Sequence, residues 1–316
     1  MTTMNERQMT KAALAAWPDV LCASGRSAEG ISAEVFHVKT AARERHVMLR
    51  LQGAGLIYKQ GFGPHADLVL TAAQAVQDAG VRLKGSPEFQ TPDIPYIDAA
   101  RHAIVMRDVA APHAEDWLLD RDLSQAARLE LLSRLGGWIA AHAAAQDPQV
   151  VPMRKGFILG KLGELATKPA PAADDLHHYA FKASRLIQQR PSVQMARRQP
   201  HGDLILHNML IAPDTTVAID LRARAAAPIG LDIANILVDY ASLYGTDQPK
   251  VGSVLSASEH AAFFAHLDDQ DPSILPHILL KALTRWGRID PSAITRSPRQ
   301  SRRLTGLQRI AAHLLG

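Results

Sequence analysis

The sequence predicts an α+β protein of two lobes, a small antiparallel sheet with one helix set before its last strand, then a larger, mainly helical lobe. Three observations carry this. Segments between residues 33 and 61 are short, rich in β-branched and long apolar residues, and separated by charged or Gly-rich breaks. One helix-like run then precedes a further strand-like segment. Beyond about residue 110 apolar residues recur at helical spacing. The 316 residues, 47% hydrophobic and 21% charged, suffice for two cores. Residues 1–109 are expected to form an N-terminal lobe and 110–316 a helical C-terminal lobe.

Taken in order, residues 4–16 read as a short amphipathic helix ended at "WPD", because the position before a proline resists helix. "AEVFHVKT", "RHVMLRLQ" and "GLIYKQG" are the strands, the last two joined by a tight "GAG" turn. "PHADLVLTAAQAVQDAG" reads as a helix with Leu68, Ala72, Ala75 and Val76 on its apolar face and Gly80 as a stop. "RHAIVMRDV" is the next strand. Ser124 is a plausible N-cap for a helix carrying the stripe Leu131, Leu135, Trp138 and His142. Residues 152–175, rich in Gly, Pro and Ala, read as a loop, and "DDLHHYAFKASRLIQQR" resumes as helix. "LDIANILVDYASLYG" and about three further helices complete the chain. His142, His177 and His178 read as packing residues, since they offer no convergent metal spacing.

Composition excludes several classes of function. The single cysteine, Cys22, rules out an internal disulfide framework and a zinc site built from thiolates. The first residues lack the apolar core of a signal peptide, and no run approaches the ~20 apolar residues that cross a bilayer. A cytoplasmic location is expected, with no membrane partner. Net charge is only +4, and the densest basic stretch, "TRSPRQSRR", reads as a solvated surface segment, so no nucleic-acid partner is expected.

The chemistry concentrates in residues 201–220, "HGDLILHNMLIAPDTTVAID". "MLIA" and "VAID" read as strands joined by a Pro-Asp turn. That hairpin is expected to bring Asn208, just before its first strand, close to Asp220, just after its second, with Asp203 in the entering loop. Two carboxylates and an amide oxygen suit Mg²⁺, which takes few protein oxygens and completes its shell with phosphate and water. A carboxylate outside the metal shell could accept a proton from a hydroxyl nucleophile. An Asp base, an Asn five residues later and a metal-binding Asp beyond a hairpin are the parts that phosphoryl transfer uses in kinases.

"HGDLILHN", "VAID" and then "IGLDIANIL" together resemble the aminoglycoside phosphotransferase-like family of small-molecule kinases, which includes the choline kinase type. The last piece matches at Gly230, Asp232 and Ala234. The resemblance covers most of the chain and implies a protein kinase-like bilobal fold. It implies an ATP-dependent phosphotransferase (GTP is an alternative donor) that uses Mg²⁺ and acts on a hydroxyl of a small molecule. Asp203 would be the catalytic base and Asn208 and Asp220 the Mg²⁺ ligands. His201 would hold the loop, and Asp232 would brace it and could cap its own helix. His207 is expected to face solvent or substrate. Lys59 would meet the nucleotide phosphates, with Arg50 the second choice; Gly25 and Gly30 in "GRSAEG" could cover the phosphates; Met106 to Val109 would offer backbone groups to adenine. The family usually pairs the lysine with a helix glutamate. The helix after Lys59 has none, so either Asp67 takes that place or the pairing is missing. That departure keeps open a catalytically inactive, nucleotide-binding or regulatory protein. The acceptor is not identified: "APHAEDWLLDRD" supplies acids, whereas "LRARAAAP" is basic, which favours a neutral or anionic acceptor.

Overall fold

The computed structural model describes residues 4–120, 123–167, 174–290, 292 and 294–316. Its fold is α+β, and the chain divides into two compact units: residues 1–112 with Leu210–Ala223, and His113–Met209 with Arg224–Gly316.

In the first unit, helix α1 (Glu6–Ala23) opens with a capping box in which Asn5 and Gln8 exchange side-chain to main-chain hydrogen bonds. The expected stop at Pro18 does not occur, and α1 runs through it for five more residues. Proline removes the hydrogen bond to the carbonyl of Leu14, on the exposed side of the helix. The opposite stripe, Met9, Ala13, Trp17, Val20 and Leu21, is buried against the sheet, and its burial outweighs that loss.

Strands β1 (Ser32–Ala41), β2 (Glu44–Gln52) and β3 (Leu56–Gly61) form the expected antiparallel set. Gly53 and Gly55 both take positive φ in the turn between β2 and β3. Helix α2 (Leu68–Arg82) continues two residues past Gly80. Its buried face is Val69, Ala73, Ala75, Val76 and Ala79, and Leu68 is exposed. Ala75 and Val76 are buried as expected, whereas Val69 and Ala73 take the places expected of Leu68 and Ala72. Strands β4 (Phe89–Gln90), β5 (Tyr96–Asp98) and β6 (Ala103–Arg107) follow, and the main sheet has the order β1-β2-β3-β6-β5. Val47, Leu49 and Leu51 of β2, Leu56 and Tyr58 of β3, and Val105 of β6 form one core with α1.

The second unit begins with α3 (Ala114–Leu119) and α4 (Gln125–Ala144), the latter capped by Ser124 and burying Leu131, Leu135, Trp138 and His142 as expected. After β7 (Gln149–Pro152), residues expected to be loop form helix α5 (Lys155–Thr167). Its glycines are tolerated because Ile158 and Leu162 are buried, so tertiary packing overrides weak propensity. Residues 168–173 of that expected loop lie outside the described residues. Helix α6 (Asp174–Gln189) and strand β8 (Gln194–Arg198) lead to a loop that ends in a 3-10 turn at Leu206–Asn208.

The hairpin strands β9 (Met209–Ile211) and β10 (Thr216–Ala218) come next. Within the first unit, β10 pairs in parallel with β4, Thr216 opposite Phe89. The segment Leu210–Ala223 therefore belongs to the first unit, although a single boundary at residue 109 would group it with the second. Back in the second unit, β11 (Ala227–Pro228) pairs with β8, which also pairs with β7. Helices α7 (Gly230–Tyr244), α8 (Ala257–Phe263), α9 (Ile274–Trp286) and α10 (Pro298–Leu315) complete the chain. Helix α7 is buried almost all round, as its apolar sequence requires. No described helix is long and apolar enough to cross a membrane.

Candidate active site

Two buried carboxylates of α7 hold the loop 201–208 by its main chain. Asp232 Oδ2 accepts the amide of His201 at 2.7 Å and its Oδ1 accepts that of Gly202 at 3.1 Å. Two turns further along the helix, Asp239 Oδ2 accepts the amide of Leu206 at 3.1 Å. Its other oxygen receives Arg285 at 2.8 Å and Arg303 at 2.9 Å. The expected helix cap at Asp232 is not formed: this residue lies inside the first turn of α7, and its carboxylate is directed to the loop. Burial pushes the Asp232 carboxyl up to about 6, against the opposing effect of the two amides.

The loop is braced from its other side by His201, which is fully buried. Its ring meets Trp138 of α4 edge-on at 5.8 Å, and Trp138 stacks on His142 at 4.9 Å. The amide of Asp203 donates to His201 Nδ1 at 3.3 Å, which assigns the imidazole as the tautomer protonated at Nε2. Asn208 Nδ2 donates to the carbonyl of Asp203 at 2.9 Å, and this leaves the amide oxygen Oδ1 of Asn208 for another ligand. Gly202 has φ +87°, and a Cβ there would sit 2.7 Å from Arg224 Cδ. The positive φ favours glycine here, and any larger residue would also displace the Arg224 side chain. His207 is exposed, its ring stacked on His113 at 4.1 Å, with His113 Nδ1 bonded to the His207 carbonyl oxygen.

The first unit holds the other expected residues. Lys59, buried in β3, places Nζ 3.0 Å from Asp220 Oδ1. Asp220 itself adopts φ +57°, a left-handed conformation that aspartate tolerates better than most side chains. His46 of β2 lies beside this pair. Burial first, then the Lys59 charge, pushes its imidazole down to about 3, so the ring is neutral. Arg222 reaches Glu44 at the end of the β1–β2 hairpin, 3.2 Å away. Glu44 also bonds Lys39, which first among several causes holds its carboxyl below the usual range.

Asp67 is not the acid that meets Lys59: the carboxylate bonded to the lysine is Asp220. Asp67 stands just before α2, where its carbonyl takes the amides of Leu70 and Thr71. Arg50 binds Asp108 at 2.8 Å and lies over the Phe36 ring. Gly25 and Gly30, both at positive φ, flank the link from α1 to β1, whereas the turn between the first two strands is at Ala42 and Arg43. Met106 pairs with Ile57 at the end of β6, and the carbonyl of Val109 accepts from Ala111.

Among the described residues no group of three or more His, Cys, Asp and Glu converges as a metal cage. The donors that the sequence nominates, one amide oxygen and one carboxylate, fit a hard cation that completes its shell from phosphate and water. The sequence reading missed Asp239, His46, Lys281 and Arg224. Asp239 had a signal: it stands seven residues after Asp232 on a helix otherwise almost wholly apolar, hence on the same face.

No protein-family model and no curated protein matches the sequence. Solved structures with the same fold do. A choline/ethanolamine kinase family protein from Mesorhizobium loti superposes with a TM-score of 0.55 at 14% identity, over 95% of this chain and 99% of that one. An aminoglycoside phosphotransferase in a ternary complex with ADP and hygromycin B gives 0.60 at 11% identity, over 94% and 98%. A glucosamine kinase in complex with glucosamine, ADP and inorganic phosphate gives 0.57 at 14% identity, over 95% and 83%. The chain thus has the protein kinase-like fold of small-molecule kinases.

Proposed function

We propose that this protein is a phosphotransferase that moves the γ-phosphoryl group of ATP, or of GTP, to a hydroxyl of a small molecule. The observation that carries this reading is the capture of the loop amides of His201, Gly202 and Leu206 by Asp232 and Asp239, which fixes Asp203 and Asn208 at the heart of an "HGD-x4-N" loop. So much buried polar structure around these two functional groups, Asp203 half-buried and Asn208 buried, suits a preorganised catalytic element.

In this reading Asp203 orients the acceptor hydroxyl and accepts its proton. The acceptor oxygen forms a bond to the γ-phosphorus, the bond from that phosphorus to the β–γ bridging oxygen breaks, and ADP leaves. Asn208, through Oδ1, and Asp220 would hold Mg²⁺, which when bound neutralises charge on the nucleotide phosphates. Lys59 would contact the phosphates, Met106 and Val109 the adenine, and Gly25 and Gly30 would lie toward the phosphates. His201 and Asp232 hold the loop. The N-terminal lobe 1–109, with Leu210–Ala223, would take the nucleotide, and 110–316 otherwise the acceptor.

Purified protein with Mg·ATP and a panel of amino alcohols, sugars and hydroxy acids tests the reading by acceptor-dependent ADP release. Asp203→Asn should lower kcat by roughly 10²–10⁴-fold while nucleotide binding persists. Acceptor-independent behaviour in both proteins would refute it. A second reading, a nucleotide-binding protein without catalysis, draws on one observation: α2 offers Lys59 no carboxylate, and the lysine is bonded to Asp220 instead. It requires wild type and Asp203→Asn to be indistinguishable.

A further inference from the structure

Two cations lie near the Asp203 loop, and neither donates a hydrogen bond to any described residue. Arg224 crosses Gly202, with Cδ and Nε 2.7 and 2.8 Å from where a Cβ would stand, one residue before Asp203. Lys281 projects from α9, half-buried, within electrostatic range of both Asp203 and Asp232. Helix α9 carries a basic stripe of His277, Lys281 and Arg285. Arg285 is bound by Asp239, and His277 is bonded to the Ser273 carbonyl at 2.7 Å. Lys281 stands between them with no such contact. Burial, before any neighbouring charge, lowers the Lys281 ammonium to about 8, so it remains mainly charged at neutral pH.

The carboxylates within electrostatic range, Asp203 and Asp232, form no hydrogen-bonded ion pair with either cation. The two Asp232 oxygens are occupied by backbone amides. Acids that could have received a cationic acceptor are also engaged: Glu115 is buried and paired with Arg299, and Asp116 closes the capping box of α3. Arg121 and Asp122 of the same acidic stretch lie outside the described residues. Resting on the reading of Asp203 as the base, we propose that Lys281 and Arg224 bind an anionic group of the acceptor. The substrate is then a hydroxylated small molecule that also carries a carboxylate or a phosphate. A guanidinium and an ammonium near the base would fix such a molecule by its charge and leave its hydroxyl to Asp203.

Calorimetry in the presence of Mg·ADP would compare gluconate and glucose 6-phosphate with glucose and glucosamine, and glycerate and glycerol 3-phosphate with glycerol and serinol. At least one anion should bind about tenfold or more tightly than its neutral and cationic analogues. The carboxylate and phosphate arms then identify the preferred anion. Lys281→Ala and Arg224→Ala should each remove most of that advantage, and Lys281→Arg should keep it, with circular dichroism confirming that the variants are folded. The proposal is overturned if neutral or cationic compounds bind as tightly as the anions, or if the advantage survives both alanine substitutions. ADP release on the same panel separates the two readings. Phosphorylation of glucosamine or serinol but of no acid removes the anion assignment and leaves Asp203 as base. Anion binding lost in Lys281→Ala, with no phosphoryl transfer to any compound, leaves the anion site and removes the catalytic reading.

Discussion

Lys59 Nζ and Asp220 Oδ1 lie 3.0 Å apart, joined across 161 positions of sequence and within one compact unit. Lys59 is buried in a central strand and Asp220 is half-exposed in a left-handed turn. The pair explains how a lysine can be buried in this strand although no acid of α2 is bonded to it.

If these residues serve the nucleotide, their loss should act on catalysis far more than on folding. Lys59→Met should reduce kcat/KM for Mg·ATP by roughly 10²–10³-fold. Because half of the Asp220 side chain is in solvent, the ion pair should contribute no more than about 1 kcal/mol to stability. Urea denaturation beside steady-state kinetics checks both halves. A large stability loss with unchanged kinetics would make the pair purely structural.

Asp232 predicts a pH signature. Its carboxyl is raised from 3.8 to about 6 by burial, so the folded protein binds this proton more readily than the unfolded chain. The resulting stabilisation is fully present below about 3.8 and is lost as pH rises through about 6, an effect of about 3 kcal/mol. Asp232→Asn cannot titrate. The difference in unfolding free energy, wild type minus Asp232→Asn, should therefore fall between pH 4 and pH 7 and be flat above. A difference that stays constant across that range would contradict the assignment.

Asp239 joins three elements: it receives Leu206 of the loop, Arg285 of α9 and Arg303 of α10. Asp239→Ala leaves two arginines and an amide without their acceptor, at a cost of about 3 kcal/mol, the lower part of the range for a broken buried pair because Arg303 retains some solvent contact. Chemical denaturation should show this loss. Residual activity in the folded fraction should drop as well, since the loop carrying Asp203 loses one of its anchors.

Gly136 of α4 sets a steric limit rather than an electrostatic one. A Cβ there would stand 1.9 Å from the carbonyl oxygen of Phe263 on α8, a main-chain atom that cannot turn aside. Gly136→Ala should cost about 1–3 kcal/mol, despite the better helix propensity of alanine. A thermal melt that rises in this variant would show that α8 yields easily.

Much of this protein was legible in its sequence. Local patterns carried the three strands before Gly61, the Ser124 cap, and the Leu131-Leu135-Trp138-His142 stripe, because period and capping chemistry act over a few residues. The "HGDLILHN" and "VAID" pieces identified Asp203, Asn208 and Asp220 as candidates, since reaction chemistry constrains residue type and spacing. What depended on distant packing was not legible. The continuation of α1 through Pro18 rests on burial against a sheet formed later in the chain. The folding of residues 155–167 as a helix rests on two buried side chains that outweigh its glycines. The acid that meets Lys59, the direction of the Asp232 carboxylate away from its own helix end, and the placing of Lys281 and Arg224 beside Asp203 were decided by tertiary structure alone. Ion pairs and buried hydrogen bonds join residues by proximity in space, and a linear sequence records only which groups are available to be joined.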